Sequence, residues 1–350
     1  MVVLFHYYLP LNFSEKITFF SKNGCEAVTF FFFISGFVMI VANSAYFKSE
    51  NYNFSKLDFY IKRIARIYPL YLFALILLTV FHYGVHPLDT ATVKYRLPFE
   101  ILAIQRLLYT GSFNYPGWTI SCEFFFYFLF PFLIVFMRKR RNAFKNFVWI
   151  YFISSLIISH TLYFISQKSL SGAEKKLIGT LYLHPVFLSS IFICGMWCGK
   201  LYIENRINFF KNNWNNVICA LVSIVLIFAI KYYIPVGSYL SGGLMVPIYF
   251  MFITSVTSFT KTQSAIFSSK PFVFLGEISY GIYILQYPVN VFFSHYVFEI
   301  TNGQSLLYYL LTLIGFASVT HYLVEKPFKK IILDRYNTKK QQAVSLNLSS

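Results

Sequence analysis

The sequence predicts an all-α fold, a polytopic transmembrane helix bundle of about ten spans, the first of them expected to be truncated. Three observations predict it. Hydrophobic residues make up 57% of the 350-residue chain and charged residues only 12%, a balance foreign to water-soluble domains of this size. Apolar runs long enough to cross a hydrocarbon core recur along the chain, separated by short polar connectors. Basic residues gather at the ends of those runs.

Residues 1–9 read as the tail end of a span, too short for the roughly 20 residues a crossing takes. They lack the basic start, long apolar centre and small-residue cleavage site of a signal peptide. Full spans are expected near 26–45, 67–83, 119–137, 147–166, 180–200, 216–233, 239–259, 277–298 and 305–324. In the first of these, Ser35 and Gly36 interrupt an aromatic wall and permit close approach of another helix. The second opens on KRIARIYP, where Pro69 loosens backbone pairing, a feature tolerated where helices line a cavity. In 180–200, Cys194 and Cys198 share a face with Gly195 and Gly199 and read as packing positions. In 277–298, Glu277, Tyr280, Tyr283 and Tyr287 fall at helical spacing beside Gln286, a polar stripe that faces protein or water. The membrane unit is expected over 1–335, and 336–350 as a polar cytoplasmic tail, expected to be disordered.

The net charge of +17 does not imply a nucleic-acid partner, because the basic clusters are short and sit at span ends. Those at 46–66, 138–146, 200–211 and after 325 fall on one side if the chain begins by running outward, which places both termini in the cytoplasm. Binding of membrane lipids by these clusters follows as a secondary role. The five cysteines show no CxxC spacing and no accompanying histidines, so no metal site is expected. Cys122 abuts Glu123, but an apolar setting raises a thiol's pKa and works against a nucleophile there.

Three sets of residues point to chemistry. Glu123 is the one charged residue in 117–136, and a carboxylate at bilayer depth costs about 2.5–3.5 kcal/mol on insertion scales. Such a residue marks a functional site, the alternatives being a packing hydrogen bond or an interfacial position. His6 sits among apolar residues, where desolvation keeps an imidazole neutral and able to accept a hydroxyl proton; a structural hydrogen bond is the competing reading. Arg63 and Arg66, at i and i+3 beside Lys62, share a helix face on which two guanidinium forks can grip phosphates, although topology alone also explains basic residues there.

In order along the chain, His6, AVTFFFFISGF (27–37), KRIARIYP (62–69), WTISCEFFFYFLFP (118–131), LGEISYGIYILQYP (275–288) and EKP (325–327) resemble the strings of acyltransferase family 3, the multispan membrane O-acyltransferases. The resemblance covers nearly the whole chain. It implies an acyl-CoA-dependent acyltransferase in the bacterial inner membrane. An acyl group, most often acetyl, would pass from cytoplasmic acyl-CoA to a hydroxyl of a cell-surface polysaccharide or its lipid-linked precursor. Carried over residue by residue, His6 is the base or transient acyl carrier, and Glu123 orients or charge-balances His6 or the acceptor. Lys62, Arg63 and Arg66 hold the CoA, while Trp118, Tyr115, Tyr280 and Tyr283 meet the glycan acceptor; no metal is implied. Three departures stand out: Thr29 replaces a common acid, Gln286 replaces a common histidine, and the family's upstream arginine would precede Met1. A non-enzymatic transporter or flippase of lipid-linked glycans, or an inactive truncated family member, are the other readings.

Overall fold

The computed structural model describes residues 3, 7, 26–49, 52, 54–85, 90–108, 111–166, 168, 171–181, 183–207, 214–233 and 243–349, and every regular element among them is helical. Apart from the four-residue helices Ala45–Lys48 and Lys261–Ser264, these are in chain order α1 (Glu26–Ala42), α2 (Lys56–Val85), α3 (Thr90–Ile101), α4 (Gly117–Lys139), α5 (Arg141–Ser166), α6 (Gly172–Leu181) and α7 (Pro185–Ile203). There follow α8 (Asn215–Tyr233), α9 (Val246–Thr257), α10 (Lys270–Tyr296), α11 (Gly303–Thr320) and α12 (Lys326–Ser349). A π-helical turn, His321–Glu325, joins the last two.

Five of the helical stretches are long and apolar enough to cross a membrane: 56–81, 117–139, 141–166, 185–203 and 303–343. These are the stretches that meet both criteria among the described residues, and the expected count of about ten rests on the sequence reading alone. The apolar helices at 27–42, 215–230 and 246–257 coincide with expected spans over shorter stretches. The segment 1–9 lies outside the described residues except for Val3 and Tyr7, both helical. Trp149, Ile150, Ile153, Ile157 and Phe164 leave an apolar face of α5 uncovered by protein, the face a lipid chain would meet.

At the centre, α1 and α7 cross with their backbones in contact, and glycine is what permits it. A Cβ on Gly36 would overlap the Phe192 carbonyl oxygen, and a Cβ on Gly195 would overlap that of Phe33. One turn on, a Cβ on Gly199 would come within 2.8 Å of the Phe37 carbonyl oxygen. Small residues spaced four apart allow this approach, so that dispersion and backbone contact replace the hydrophobic drive that lipid cannot supply. Around the pair, α4 packs on α7 and α2, and α2 in turn carries α10 and α12. Where α7 ends, Glu204 gathers Arg141 (2.6 Å), Lys200 (3.1 Å) and Arg206 (3.7 Å), tying that end to the start of α5.

At the C-terminal end α12 runs to Ser349. It is fastened to α2 part-way along: Asp58 of α2 accepts from Lys340 Nζ at 2.7 and 2.9 Å and from the Tyr336 hydroxyl.

Candidate functional site

Glu123 lies two turns into α4 with its side chain buried. The helix begins at Gly117 because Pro116 precedes it and because the start is crowded: a Cβ on Gly117 would sit 2.7 Å from the Glu100 carboxylate. Thr119, Glu123 and Tyr127 are spaced four apart, so they share one face. The Tyr127 hydroxyl donates to Glu123 Oε2 at 2.6 Å, and no ion pair reaches Glu123 among the described residues.

That face opens on a cavity of about 320 Å³ walled by Thr119, Ile120 and Glu123 of α4, Val28 and Phe31 of α1, Tyr280 and Tyr283 of α10, and Val3. The Thr119 hydroxyl is 2.9 Å from that of Tyr283, while Tyr280 donates to the Ile67 carbonyl at 3.0 Å. Three of the residues singled out from sequence, Glu123, Tyr280 and Tyr283, therefore share one chamber with few polar groups. Within it a carboxylate, two phenols and the hydroxyls of Thr119 and Ser279 are the groups able to orient a hydroxyl-bearing ligand.

A second cavity, about 390 Å³, gathers Lys62, Arg63 and Arg66 of α2 with Asp58, Phe59, Tyr52 and Lys329. All three basic residues marked for phosphate binding meet there. Arg63 also connects the two chambers, for its guanidinium stands 5.5 Å from the ring centroid of Tyr127, whose hydroxyl holds Glu123. One residue from each cavity wall, Arg63 and Glu123, thus contacts the same tyrosine.

Other sequence candidates are placed differently. Trp118 stands edge-on to Phe32 at 6.3 Å with the Arg106 guanidinium 5.7 Å from its ring, and it does not line the Glu123 cavity. Tyr115, 52% exposed, also lies outside the lining. His6 falls outside the described residues; near it in sequence, Tyr7 donates to the Gln286 carbonyl at 3.1 Å and stands edge-on to Tyr309 at 5.0 Å.

A family model described as an acyltransferase domain matches residues 1–321. The chain belongs to acyltransferase family 3. Membership in this acyltransferase family, together with the apolar helices, makes it a membrane protein. Among curated relatives, the O-acetyltransferase OatA of Staphylococcus aureus is 25% identical over 344 aligned residues, covering 88% of this chain and 53% of OatA. The acyltransferase MdmB of Streptomyces mycarofaciens is 35% identical over 122 residues, 33% of this chain and 30% of MdmB. A putative acetyltransferase of Acidianus two-tailed virus is 30% identical over 65% of this chain and 63% of its own length. The chain spans about half the length of OatA and less of MdmB. No solved structure matches it.

Two features of this chain escaped sequence reasoning. His321, buried in the π-helical turn, has Nδ1 2.9 Å from Glu325 Oε2 and Nε2 3.6 Å from Glu277 Oε2. Glu277 and Glu325 come from two different strings of the resemblance, LGEISY and EKP, and only the packed fold brings them to one imidazole. A π turn inside a helix is frequent at functional sites, and that was the missing local signal.

Glu100 is the other, fully buried at the end of α3. Its carboxylate accepts from the backbone amides of Phe113 and Asn114, while the Asn114 amide donates to the Ile284 carbonyl at 3.1 Å. This clamp joins the loop before α4 to α10, one residue from Tyr283. Burial pushes the Glu100 carboxyl up to about 7 against the opposing pull of the two amides. In the unfolded chain the carboxyl would ionise near its ordinary value of 4.5, so between about 4.5 and 7 the folded state binds more protons. Stability is then expected to fall as pH rises through that window and to level above it. Thermal unfolding in detergent across pH 4–8 checks this; Glu100→Gln should flatten the slope, and an unchanged slope would assign it elsewhere.

Proposed function

We propose that this chain is a membrane O-acyltransferase that moves an acyl group, acetyl by analogy with the OatA relatives, from cytoplasmic acyl-CoA to a hydroxyl of a surface polysaccharide or its lipid-linked precursor. The observation that carries the reading is a pair of cavities, one walled by Lys62, Arg63 and Arg66, the other holding Glu123 with Tyr280 and Tyr283, whose Arg63 and Glu123 both contact Tyr127. Cations suit the phosphates of an acyl-CoA, and a sparsely polar chamber suits transfer sheltered from hydrolysis.

In this reading His6 takes the proton of the acceptor hydroxyl as its oxygen attacks the thioester carbonyl. The tetrahedral adduct collapses by breaking the carbon–sulfur bond, and the CoA thiolate leaves and recovers the proton from His6. Glu123 orients or balances the imidazole while Tyr127 holds the carboxylate in place. Val3, three positions before His6, lines the Glu123 cavity, which supports pairing the two residues. Tyr280 and Tyr283 position the acceptor, with Tyr115 and Trp118 available near the start of α4 for sugar stacking. The enzyme would sit in the inner membrane with both termini in the cytoplasm, following the distribution of basic residues.

Deleting the gene and measuring ester-linked acetate on the cell's polysaccharide tests this against transport. Loss of acetate on a polymer made in normal amount is the expected result. Loss of the polymer itself would point to a flippase, and unchanged acetate would overturn the proposal.

A further inference from the structure

The C-terminal helix contributes to the wall of the cationic cavity. Lys329 and Leu333 of α12 line it opposite Lys62, Arg63 and Arg66 of α2. Lys329, Leu333, Tyr336 and Lys340 recur at helical spacing, so they form one stripe along α12. The far end of this stripe is fastened: Asp58 accepts from Lys340 Nζ at 2.7 and 2.9 Å and from the Tyr336 hydroxyl. Asp58 itself lines the cavity, where an unopposed carboxylate would repel phosphate. Engaging it from α12 neutralises that repulsion and fixes the register of Lys329 together. None of the ion pairs among the described residues involves Lys62, Arg63, Arg66 or Lys329, so four cations face the cavity without a carboxylate partner.

We propose that Lys329 is a further phosphate-binding residue for the acyl-CoA donor, and that Asp58 is a positioning residue holding Lys329 over the cavity through Tyr336 and Lys340. The proposal rests on the donor assignment above and adds to it a second helix and a clamp. A CoA carries a pyrophosphate and a separate phosphate monoester, more anionic groups than a single i, i+3 arginine pair can grip. A lysine from the opposite wall supplies the remaining point charge. Anionic lipid headgroups present the same phosphate chemistry, and the experiment separates the two sources.

The full chain is placed in nanodiscs of zwitterionic lipid and titrated with tritiated acetyl-CoA, with acceptor kinetics measured in parallel. Lys329→Gln is expected to raise the Kd for acetyl-CoA roughly tenfold, the weight of one charge-assisted contact, with kcat at saturating donor unchanged. Lys329→Arg should retain the affinity. Asp58→Ala is the sharper arm, because removing an anion from the wall tightens anion binding by electrostatics alone, whereas loss of the clamp weakens it; the proposal requires weakening. Unchanged affinity in Lys329→Gln alongside weakened binding in Arg66→Ala would remove Lys329 and leave the donor cavity standing. Tighter binding by Asp58→Ala would overturn the clamp. An effect of Lys329→Gln confined to nanodiscs of anionic lipid would assign the residue to headgroups instead, and failure of the unmodified chain to bind acetyl-CoA would overturn the donor assignment itself.

Discussion

His6→Ala is expected to lower acyl transfer by a factor of about 10²–10⁴, the range that a positioned general base contributes, while leaving the protein inserted in the membrane. Glu123→Gln should show a loss of the same kind. It keeps the hydrogen bond available to Tyr127 but removes the negative charge that would steady an imidazolium. The two losses are not expected to add: if the carboxylate acts only through the imidazole, the double variant falls no further than His6→Ala alone. Acyl transfer from labelled acetyl-CoA in isolated membranes, normalised to protein level, measures all three. Full activity in His6→Ala would exclude the base assignment. Independent, multiplying losses would instead give Glu123 a direct role on the acceptor.

The largest structural effect is expected at the crossing of α1 and α7. At Gly36 and at Gly195 the atom met by an added Cβ is a backbone carbonyl oxygen of the facing helix, which cannot rotate aside as a side-chain end can. Gly36→Val or Gly195→Val must push the helices apart, at or above the upper end of the roughly 1–3 kcal/mol typical of overpacking. Gly315 meets nothing within 4 Å, so Gly315→Val is the control expected to be tolerated. Size-exclusion profiles of the detergent-extracted proteins, with melting temperatures, read the difference. Monodisperse Gly36→Val of unchanged melting temperature would show that the two backbones do not touch at the crossing.

Much of the candidate site was legible because its residues violate the local composition. Glu123 is conspicuous in a run otherwise free of charge, and Arg63 and Arg66 share a helix face by spacing alone. Tyr280 and Tyr283 were equally visible, lying at i, i+3 in an apolar segment, and both line the Glu123 cavity. Glu100 offered no such contrast. It closes an amphipathic stretch, and its partners are backbone amides, which carry no sequence signature. Trp118 was visible as an aromatic at the start of a span, but its edge-on contact with Phe32 and its place outside the Glu123 cavity are features of the packed fold.

Hydropathy and periodicity by themselves determined that this chain is helical and made for a membrane, because local apolar content and 3.6-residue spacing are properties of contiguous sequence. They also marked the carboxylate and the basic stripe. Only the tertiary structure decided which helices meet, since contact between α1 and α7 depends on glycines in segments far apart along the chain. The same holds for Glu277 of α10 meeting His321, and for Asp58 holding α12 beside Arg63 and Arg66. Each is a long-range pairing whose free energy exists only when separate helices pack, and no local pattern encodes it.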